Sequence, residues 1–219
     1  MASEARRARA SAGSADPRSL LRGVIAALFN GAGRFYLAHG QFIGALFIVA
    51  LVAAVAGLGW LRPPHAWDMI AYLGAAWREV IPDPAILQDR VYEAVRAAVP
   101  PEHYAVLAEG DAYRLRQSTD PAAFQSMLGM YAVKWLYVKL IALIAPLAGP
   151  AAAAQLINTV AAAGFAGTLL WWLARERLLE LGPAVVAMLL VAGFPALAMA
   201  ETPDYLAAAL VLAAFMAYD

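Results

Sequence analysis

The sequence predicts an all-α, polytopic membrane protein with about five transmembrane helices. Hydrophobic residues make up 63% of the 219 residues and charged residues only 15%, a balance far from that of an ordinary soluble domain. Apolar segments of about 20 residues recur, which is the length that a helix needs to cross the hydrocarbon core. The alternating short strands of an outer-membrane barrel are not found. A lipid bilayer is therefore the expected surrounding of most of the chain.

Charge and cysteine content exclude other classes of protein. The 16 basic and 16 acidic residues give a formal net charge of zero, so nothing favours a nucleic-acid partner. The chain has no cysteine, which excludes a disulfide framework and a thiolate metal site.

The first 40 residues are predicted to lie on the cytoplasmic side. Residues 1–19 are small and polar with four arginines, the composition of a disordered basic tail. Residues 20–40 are apolar but contain Arg22 and Arg34, which favours an interfacial amphipathic helix whose arginines lie among lipid headgroups. A re-entrant or crossing segment is the alternative for residues 20–40.

The first transmembrane helix is predicted over residues 41–61. No charged residue interrupts this segment, and Trp60 near its end is a typical interfacial anchor. The arginine excess precedes it, so the positive-inside rule predicts a cytoplasmic N-terminus and an external segment from residue 62 onward. We expect the protein in a bacterial cytoplasmic (inner) membrane.

Residues 62–126 are predicted to form an external layer of amphipathic helices. Asp83-Pro84 and Asp120-Pro121 each place a capping acid before a proline, which indicates a helix start. After Pro84, apolar side chains recur on one helical face while acids, an arginine and a glutamine occupy the others.

Residues 127–219 are predicted to form a helical membrane bundle. Four apolar runs supply the remaining crossings: residues 127–149, 151–173, 183–200 and 203–217. Simple alternation puts Asp204 on the cytoplasmic side, whereas one re-entrant segment would return it to the outer face beside Asp68. Lys134 lies inside the first run, where it either extends to the headgroups or faces a cavity or counter-charge.

Asp68 is the first candidate for a functional residue. An acid this close to the end of a membrane helix is either an ordinary interfacial charge or part of a site at the bilayer surface. His65 lies one helical turn before it, so the two side chains could hold a divalent metal ion on one face, although two ligands are too few for a site.

Two stretches carry a resemblance to a known family. AWDMIAYLGAAW places Asp68 soon after the first crossing with Tyr72 a turn later, and YAVKWLY spans Tyr131 to Tyr137. Together with the external helical layer, they resemble the N-terminal half of the GT-C class of integral-membrane glycosyltransferases. The run from residue 109 to 149 is also similar to bacterial membrane proteins of poorly defined function, in which a basic residue precedes Pro-Leu-Tyr; here Lys134 takes the basic place and Trp135 replaces the proline.

The resemblance implies transfer of a sugar from a polyprenyl-phosphate donor on the external face. Asp68 matches the class position for a general base or metal-organising carboxylate, and Asp204 resembles a second acid after a later crossing. Lys134 would stabilise the departing lipid phosphate. Substrate contacts are expected from aromatic and basic residues near these positions: Tyr72, Arg114, Arg116, Tyr131 and Tyr137.

A second hypothesis belongs to a different functional class. Members of the GT-C class usually continue well beyond 219 residues, so this chain is expected to be a fragment, half of a split protein, or a reduced member. In the last case it would be a non-catalytic subunit of a larger membrane complex, with a partner membrane subunit packed on small-residue surfaces such as 151–154. Convergence of Asp68, Lys134 and Asp204 would favour the enzyme.

Overall fold

A computed structural model describes residues 17–218 of the chain, and every regular element in that range is helical. The all-α prediction is confirmed. The helices are α1 (Pro17–Leu61), α2 (Asp68–Trp77), α3 (Pro84–Ala98), α4 (Pro101–Glu109), α5 (Ala112–Thr119), α6 (Pro121–Ala132), α7 (Trp135–Ala148), α8 (Pro150–Arg175), a short 3-10 helix (Leu179–Leu181), α9 (Gly182–Val191), α10 (Phe194–Met199) and α11 (Asp204–Tyr218). Most of the predicted basic tail, residues 1–16, lies outside the described residues.

Helix α1 is continuous across the predicted boundary at residue 40. It begins at Pro17 and ends at Leu61, so an interfacial helix over 20–40 is not separated by a break from a crossing over 41–61. Glycine costs a helix about 1 kcal/mol relative to alanine, and the alanine, leucine and phenylalanine residues around Gly31 and Gly33 can outweigh that cost. Location of residues 20–40 on the membrane surface stays a prediction.

The number of helices suited to crossing a membrane is lower than predicted. Two are long and apolar enough, Ile25–Leu61 within α1 and Pro150–Arg175, which is α8. A third is reached only if α6 and α7, bent by 116° relative to each other, count as one span. The prediction of five crossings is therefore wrong for the described residues.

The two later apolar runs form helices that are shorter than a crossing needs. Gly193 has a φ of +77°, a left-handed conformation that favours glycine and separates α9 from α10. Helix α11 has 15 residues, or about 22 Å at 1.5 Å per residue, against about 30 Å of hydrocarbon.

The two ends of α7 contact different parts of the chain. At the start of α7, Lys134 pairs with Asp204, which follows the loop that contacts Ala66. At its other end, Gly149 lines a cavity together with Ala98 of α3. Helices α6 and α7 therefore form either a broken span or a re-entrant segment.

The helices bury two apolar cores that share α8. The first core lies in the predicted external layer, between α2, α3, α6, α7 and the start of α8, with Phe124 fully buried. The second lies between α1, α8, α10 and α11. The predicted helix starts are observed: Asp83 accepts hydrogen bonds from the N–H groups of Ala85 and Ile86, and Asp120 caps α6 in the same way.

A close contact between two glycines holds α1 against the C-terminal third of the chain. A Cβ atom on Gly44 would collide with the carbonyl of Leu179, and one on Gly182 would collide with the carbonyl of Gly44. Nearby, the Tyr36 hydroxyl donates a hydrogen bond to the Glu180 carbonyl. The segment 179–182 therefore lies at the middle of α1, far from the Leu61 end.

Candidate functional site

Asp68 is the first residue of α2, and its carboxylate contacts another candidate residue. The hydroxyl of Tyr131 donates a hydrogen bond to Oδ1 of Asp68 over 3.0 Å. Asp68 is half-buried, and the preceding Trp67 packs edge-on against both Tyr131 and Tyr113. The carboxylate is thus held within an aromatic surround.

Three tyrosines from different helices pack together near Asp68: Tyr72 of α2, Tyr131 of α6 and Tyr137 of α7. The Tyr72 ring lies 5.0 Å from those of Tyr131 and Tyr137, in edge-to-face arrangements that favour aromatic pairs. Burial raises the pKa of Tyr72, and the nearby carboxylates of Asp68 and Asp204 raise it further because they disfavour the phenolate. The Tyr72 hydroxyl therefore stays protonated and can act as a hydrogen-bond donor.

Lys134 and Asp204 form an ion pair beside these tyrosines. Nζ of Lys134, in the bend before α7, lies 3.4 Å from Oδ1 of Asp204, the first residue of α11. Both side chains are about half exposed, and such pairs contribute at most about 1 kcal/mol to stability. Asp204 and Asp68 are both close enough to Tyr72 to raise its pKa. The membrane face on which Asp204 lies stays a prediction.

The two predicted arginines make local contacts instead. The Arg114 guanidinium lies 3.2 Å from Asp111 and donates to the Val106 carbonyl, so it ties α5 to α4. Arg116 lies 3.9 Å from Asp120 and is largely exposed. Tyr113, rather than either arginine, reaches the aromatic surround of Asp68 through Trp67.

The structure adds one acid that the sequence analysis did not select. Glu201 is fully buried, and its Oε2 accepts a hydrogen bond from the N–H of Ala66 over 2.8 Å. Burial raises the pKa of Glu201 to about 7, partly offset by that hydrogen bond. The sequence contains one signal for Glu201. It lies in AETPD, residues 200–204, a short polar gap between two apolar runs, and an acid in such a gap must be either solvated or paired.

His65 contacts Glu201 rather than Asp68. Its Nδ1 lies 3.9 Å from Oε1 of Glu201, and its ring lies 5.4 Å from that of His103. Burial lowers the pKa of His65, and His103 lowers it further, so the imidazole is held neutral. The backbone of His65 has a left-handed φ of +49°, an uncommon conformation for a residue with a side chain.

The predicted metal pair does not form a ligand set. His65 is directed toward Glu201 and Asp68 toward Tyr131, and no group of three or more His, Asp or Glu side chains within residues 17–218 is arranged to hold a metal ion. A divalent cofactor stays a prediction from the resemblance, and the chemistry proposed below uses none.

An apolar groove of about 300 Å³ opens beside the ion pair. It lies between the start of α7 and α11, and Lys134 is the one charged side chain in its lining. The remaining lining residues are Val133, Trp135, Leu136, Tyr137, Pro203, Leu206, Ala207 and Leu210. A hydrocarbon chain with an anionic end matches this combination of an apolar wall and a cation at its edge.

The raised pKa of Glu201 predicts a pH-dependent stability. The carboxyl has an ordinary pKa of 4.5 in the unfolded chain and about 7 when folded, so the folded state binds the proton more tightly. Glu201 therefore favours the native state below pH 4.5, and about 3 kcal/mol of this contribution is lost as the pH rises through 7, whereas the lowered pKa of His65 acts in the opposite direction.

Thermal unfolding in detergent between pH 5 and pH 8 measures this effect. We expect the melting temperature of the wild-type chain to fall by several degrees over that range, at roughly 2–4 °C per kcal/mol. Glu201→Gln keeps an acceptor for the Ala66 N–H and removes the Glu201 titration, so its melting temperature should not show this fall with rising pH. Equal pH dependence of the two proteins would contradict the assignment.

Comparison with known proteins gives no relative for this chain: no protein-family model, no curated protein and no solved structure matches it.

Proposed function

We propose that the chain is a GT-C-like membrane glycosyltransferase, or part of one, that transfers a sugar from a polyprenyl-phosphate donor. The observation that carries the proposal is the meeting of Asp68, the Lys134–Asp204 pair and three tyrosines at the edge of an apolar groove. A lipid-linked sugar presents these chemistries in the same order: a hydrocarbon chain, an anionic phosphate and a hydroxyl-rich ring.

Each group has a role in the proposed transfer. The carboxylate of Asp68 takes the proton from the acceptor hydroxyl while the oxygen of that hydroxyl attacks the anomeric carbon of the donor sugar. The bond between that carbon and the phosphate oxygen breaks, and polyprenyl phosphate leaves with the electron pair. Lys134 stabilises the negative charge on the departing phosphate, and Asp204 holds the ammonium group in place. The protonated Tyr72 hydroxyl supplies a hydrogen bond to the sugar or the phosphate.

The proposed location is a bacterial cytoplasmic (inner) membrane with the N-terminus in the cytoplasm. Four arginines lie toward the end of the bundle that is remote from Asp68. Arg22 and Arg34 are in the first half of α1, and Arg175 and Arg177 lie at and just after the end of α8. The arginines that precede the first apolar span favour the cytoplasm for this end under the positive-inside rule. The Asp68 site then faces the external leaflet, where the lipid-linked sugar would be held.

The test is transfer of radiolabelled hexose from undecaprenyl phosphate by the full chain in lipid nanodiscs. Undecaprenyl-phosphate glucose and mannose serve as donors, and membrane lipids, glycan and water serve as acceptors. Formation of labelled product and free undecaprenyl phosphate would support the proposal. No release of label from either donor, with a folded protein, would count against these donors and weaken the enzyme hypothesis.

Two lysines, Lys134 in the bend before α7 and Lys139 within α7, offer a matched comparison for the proposed phosphate contact. We expect Lys134→Met to lower kcat/KM for the donor at least about tenfold, because it removes the cation at the groove. Lys139 lies one turn along, 2.6 Å from the exposed Glu79 and outside the groove lining, so Lys139→Met should retain activity. Equal losses in the two variants would contradict the role of Lys134.

The alternative of a non-catalytic membrane subunit rests on the length of α1. Its apolar part spans 37 residues, whereas about 20 cross a bilayer, and large side chains such as Phe29 and Leu37 are exposed. A partner membrane subunit would cover this surface. The mass of the particle extracted in mild detergent distinguishes the enzyme hypothesis from the subunit hypothesis. The subunit hypothesis predicts a stable complex with another chain and no transfer activity.

A further inference from the structure

The helix that presents Asp68 lacks the local cap that starts three of its neighbours. Helices α3, α5 and α6 each begin after an aspartate whose carboxylate accepts hydrogen bonds from N–H groups of the first turn. Trp67 holds the corresponding position before α2, and its side chain makes no capping hydrogen bond to the described residues. The start of α2 is therefore not held by a cap of its own.

An acid from the C-terminal third of the chain reaches the turn before α2. Oε2 of Glu201 accepts a hydrogen bond from the N–H of Ala66 over 2.8 Å, and the Ala66 carbonyl in turn accepts one from the N–H of Met69 over 3.1 Å. Glu201 is fully buried, so water does not compete for its bond. A side-chain oxygen that accepts from the first backbone N–H groups is what a helix start needs. Glu201 thus serves in place of a local cap.

The connection from α1 to α2 offers few other backbone donors. Pro63 and Pro64 have no N–H group, and the next residue, His65, has a left-handed φ of +49°. An uncommon conformation of this kind persists only where the surrounding contacts hold it. The hydrogen bond to Ala66 fixes the peptide that directly follows, so without Glu201 the turn would relax.

The direction of Asp68 follows from this turn. Asp68 is two residues beyond Ala66, and its Oδ1 accepts the Tyr131 hydrogen bond over 3.0 Å. Between them, Trp67 packs edge-on against Tyr131. A shift of the α2 start would therefore move the Asp68 carboxylate relative to the groove, and a misplacement of about 1 Å can lower a catalysed rate by 10².

We propose that Glu201 is a positioning residue for Asp68. Its hydrogen bond to Ala66 fixes the turn from which α2 starts, and hence the direction of the Asp68 carboxylate. Glu201 itself contacts neither the donor nor the acceptor. This role rests on the proposed transfer, because the direction of Asp68 affects catalysis only if that residue takes the proton from the acceptor.

Hydrogen exchange of the full chain in lipid nanodiscs measures the contact without any substrate. Glu201→Met keeps the side-chain length but loses the oxygen acceptor, so the amides of Ala66 and Met69 should exchange about tenfold faster, the equivalent of one net hydrogen bond. Glu201→Gln should exchange as the wild type does, because its amide oxygen can still accept from Ala66.

Transfer kinetics test the effect on Asp68. We expect Glu201→Met to lower kcat with undecaprenyl-phosphate hexose about tenfold and to leave KM for the donor within about twofold, because Lys134 and the groove are unaltered. Glu201→Asp keeps the charge but is one methylene shorter, so it should lower kcat as well. Glu201→Gln should retain most of the wild-type kcat.

Gln88 provides a matched control for the loss of a buried hydrogen bond. Its Nε2 donates to the Gln117 carbonyl over 2.7 Å, and both side chains are buried in the same helical layer. Gln88→Met should lower the melting temperature, but kcat and the exchange of the Ala66 amide should stay at the wild-type values.

Other results would overturn the role of Glu201. Wild-type kcat in Glu201→Met, equal losses of kcat in Glu201→Met and Glu201→Gln, or unchanged exchange at Ala66 in Glu201→Met would each contradict it. An inactive wild type that shows the expected exchange pattern would instead refute the proposed transfer, and with it the catalytic use of the contact between Glu201 and Ala66.

Discussion

Replacing Asp68 with Asn is expected to lower sugar transfer from undecaprenyl-phosphate hexose at least about 100-fold. A carboxamide cannot accept the proton from the acceptor hydroxyl, and a positioned general base typically contributes a factor of 10²–10⁴. The amide oxygen can still accept the hydrogen bond from Tyr131, so the fold should be retained. Initial rates at saturating donor, with the melting temperature measured in parallel, give the result.

An acid of the same layer provides the control for Asp68. Glu79 follows α2 in the chain, is exposed and contacts Lys139 outside the groove, so Glu79→Gln should retain activity. If Asp68→Asn transfers sugar at the wild-type rate, the proposed role of Asp68 is wrong. If both variants lose activity to the same extent, the loss reports a general change in the helical layer.

Replacing Gly44 with Ala is expected to lower the melting temperature by about 10 °C. The added Cβ would collide with the backbone carbonyl of Leu179, and backbone cannot move aside as a flexible side chain can. Forcing extra atoms into such a contact costs about 3 kcal/mol, and each kcal/mol lowers the melting temperature by roughly 2–4 °C in a chain of this size. Gly182→Ala should have a similar effect, because its Cβ would meet the Gly44 carbonyl.

Gly57 in the same helix is the matched control. An added Cβ at Gly57 has no neighbouring atom within 4 Å, so Gly57→Ala should leave the melting temperature unchanged or raise it slightly. Alanine is favoured over glycine in a helix by roughly 0.5–1 kcal/mol. Unchanged stability in Gly44→Ala would show that the segment 179–182 does not pack on α1 as described.

The layer of helices after α1 could be predicted because its signals are local. Asp83-Pro84 and Asp120-Pro121 mark helix starts through capping hydrogen bonds within three residues, and both caps are observed. The number of crossings could not be predicted from hydropathy, because the apolar runs after residue 126 are divided by the α6–α7 bend and by the left-handed Gly193. Composition does not report the direction of a helix after a bend.

The candidate site was predictable in part. Asp68, Tyr72, Tyr131, Lys134, Tyr137 and Asp204 are brought to one region. Arg114 and Arg116 were expected nearby, but acids three and four residues away hold them locally, as helical spacing favours. Glu201 was missed because its partner, the N–H of Ala66, is a backbone group 135 residues away that no side-chain pattern reveals.

The contact between Glu201 and Ala66 has a consequence for the order of assembly during synthesis. The helices that pack in the layer around Asp68 extend to the start of α8, with Ile157 the last buried residue of their core, whereas Glu201 emerges from the ribosome more than 40 residues later. Ala66 and the start of α2 therefore wait for the C-terminal helices before their final hydrogen bond can form. A nascent chain stalled before residue 201 would carry Asp68 without its support, and the proposed activity would begin only when α11 docks.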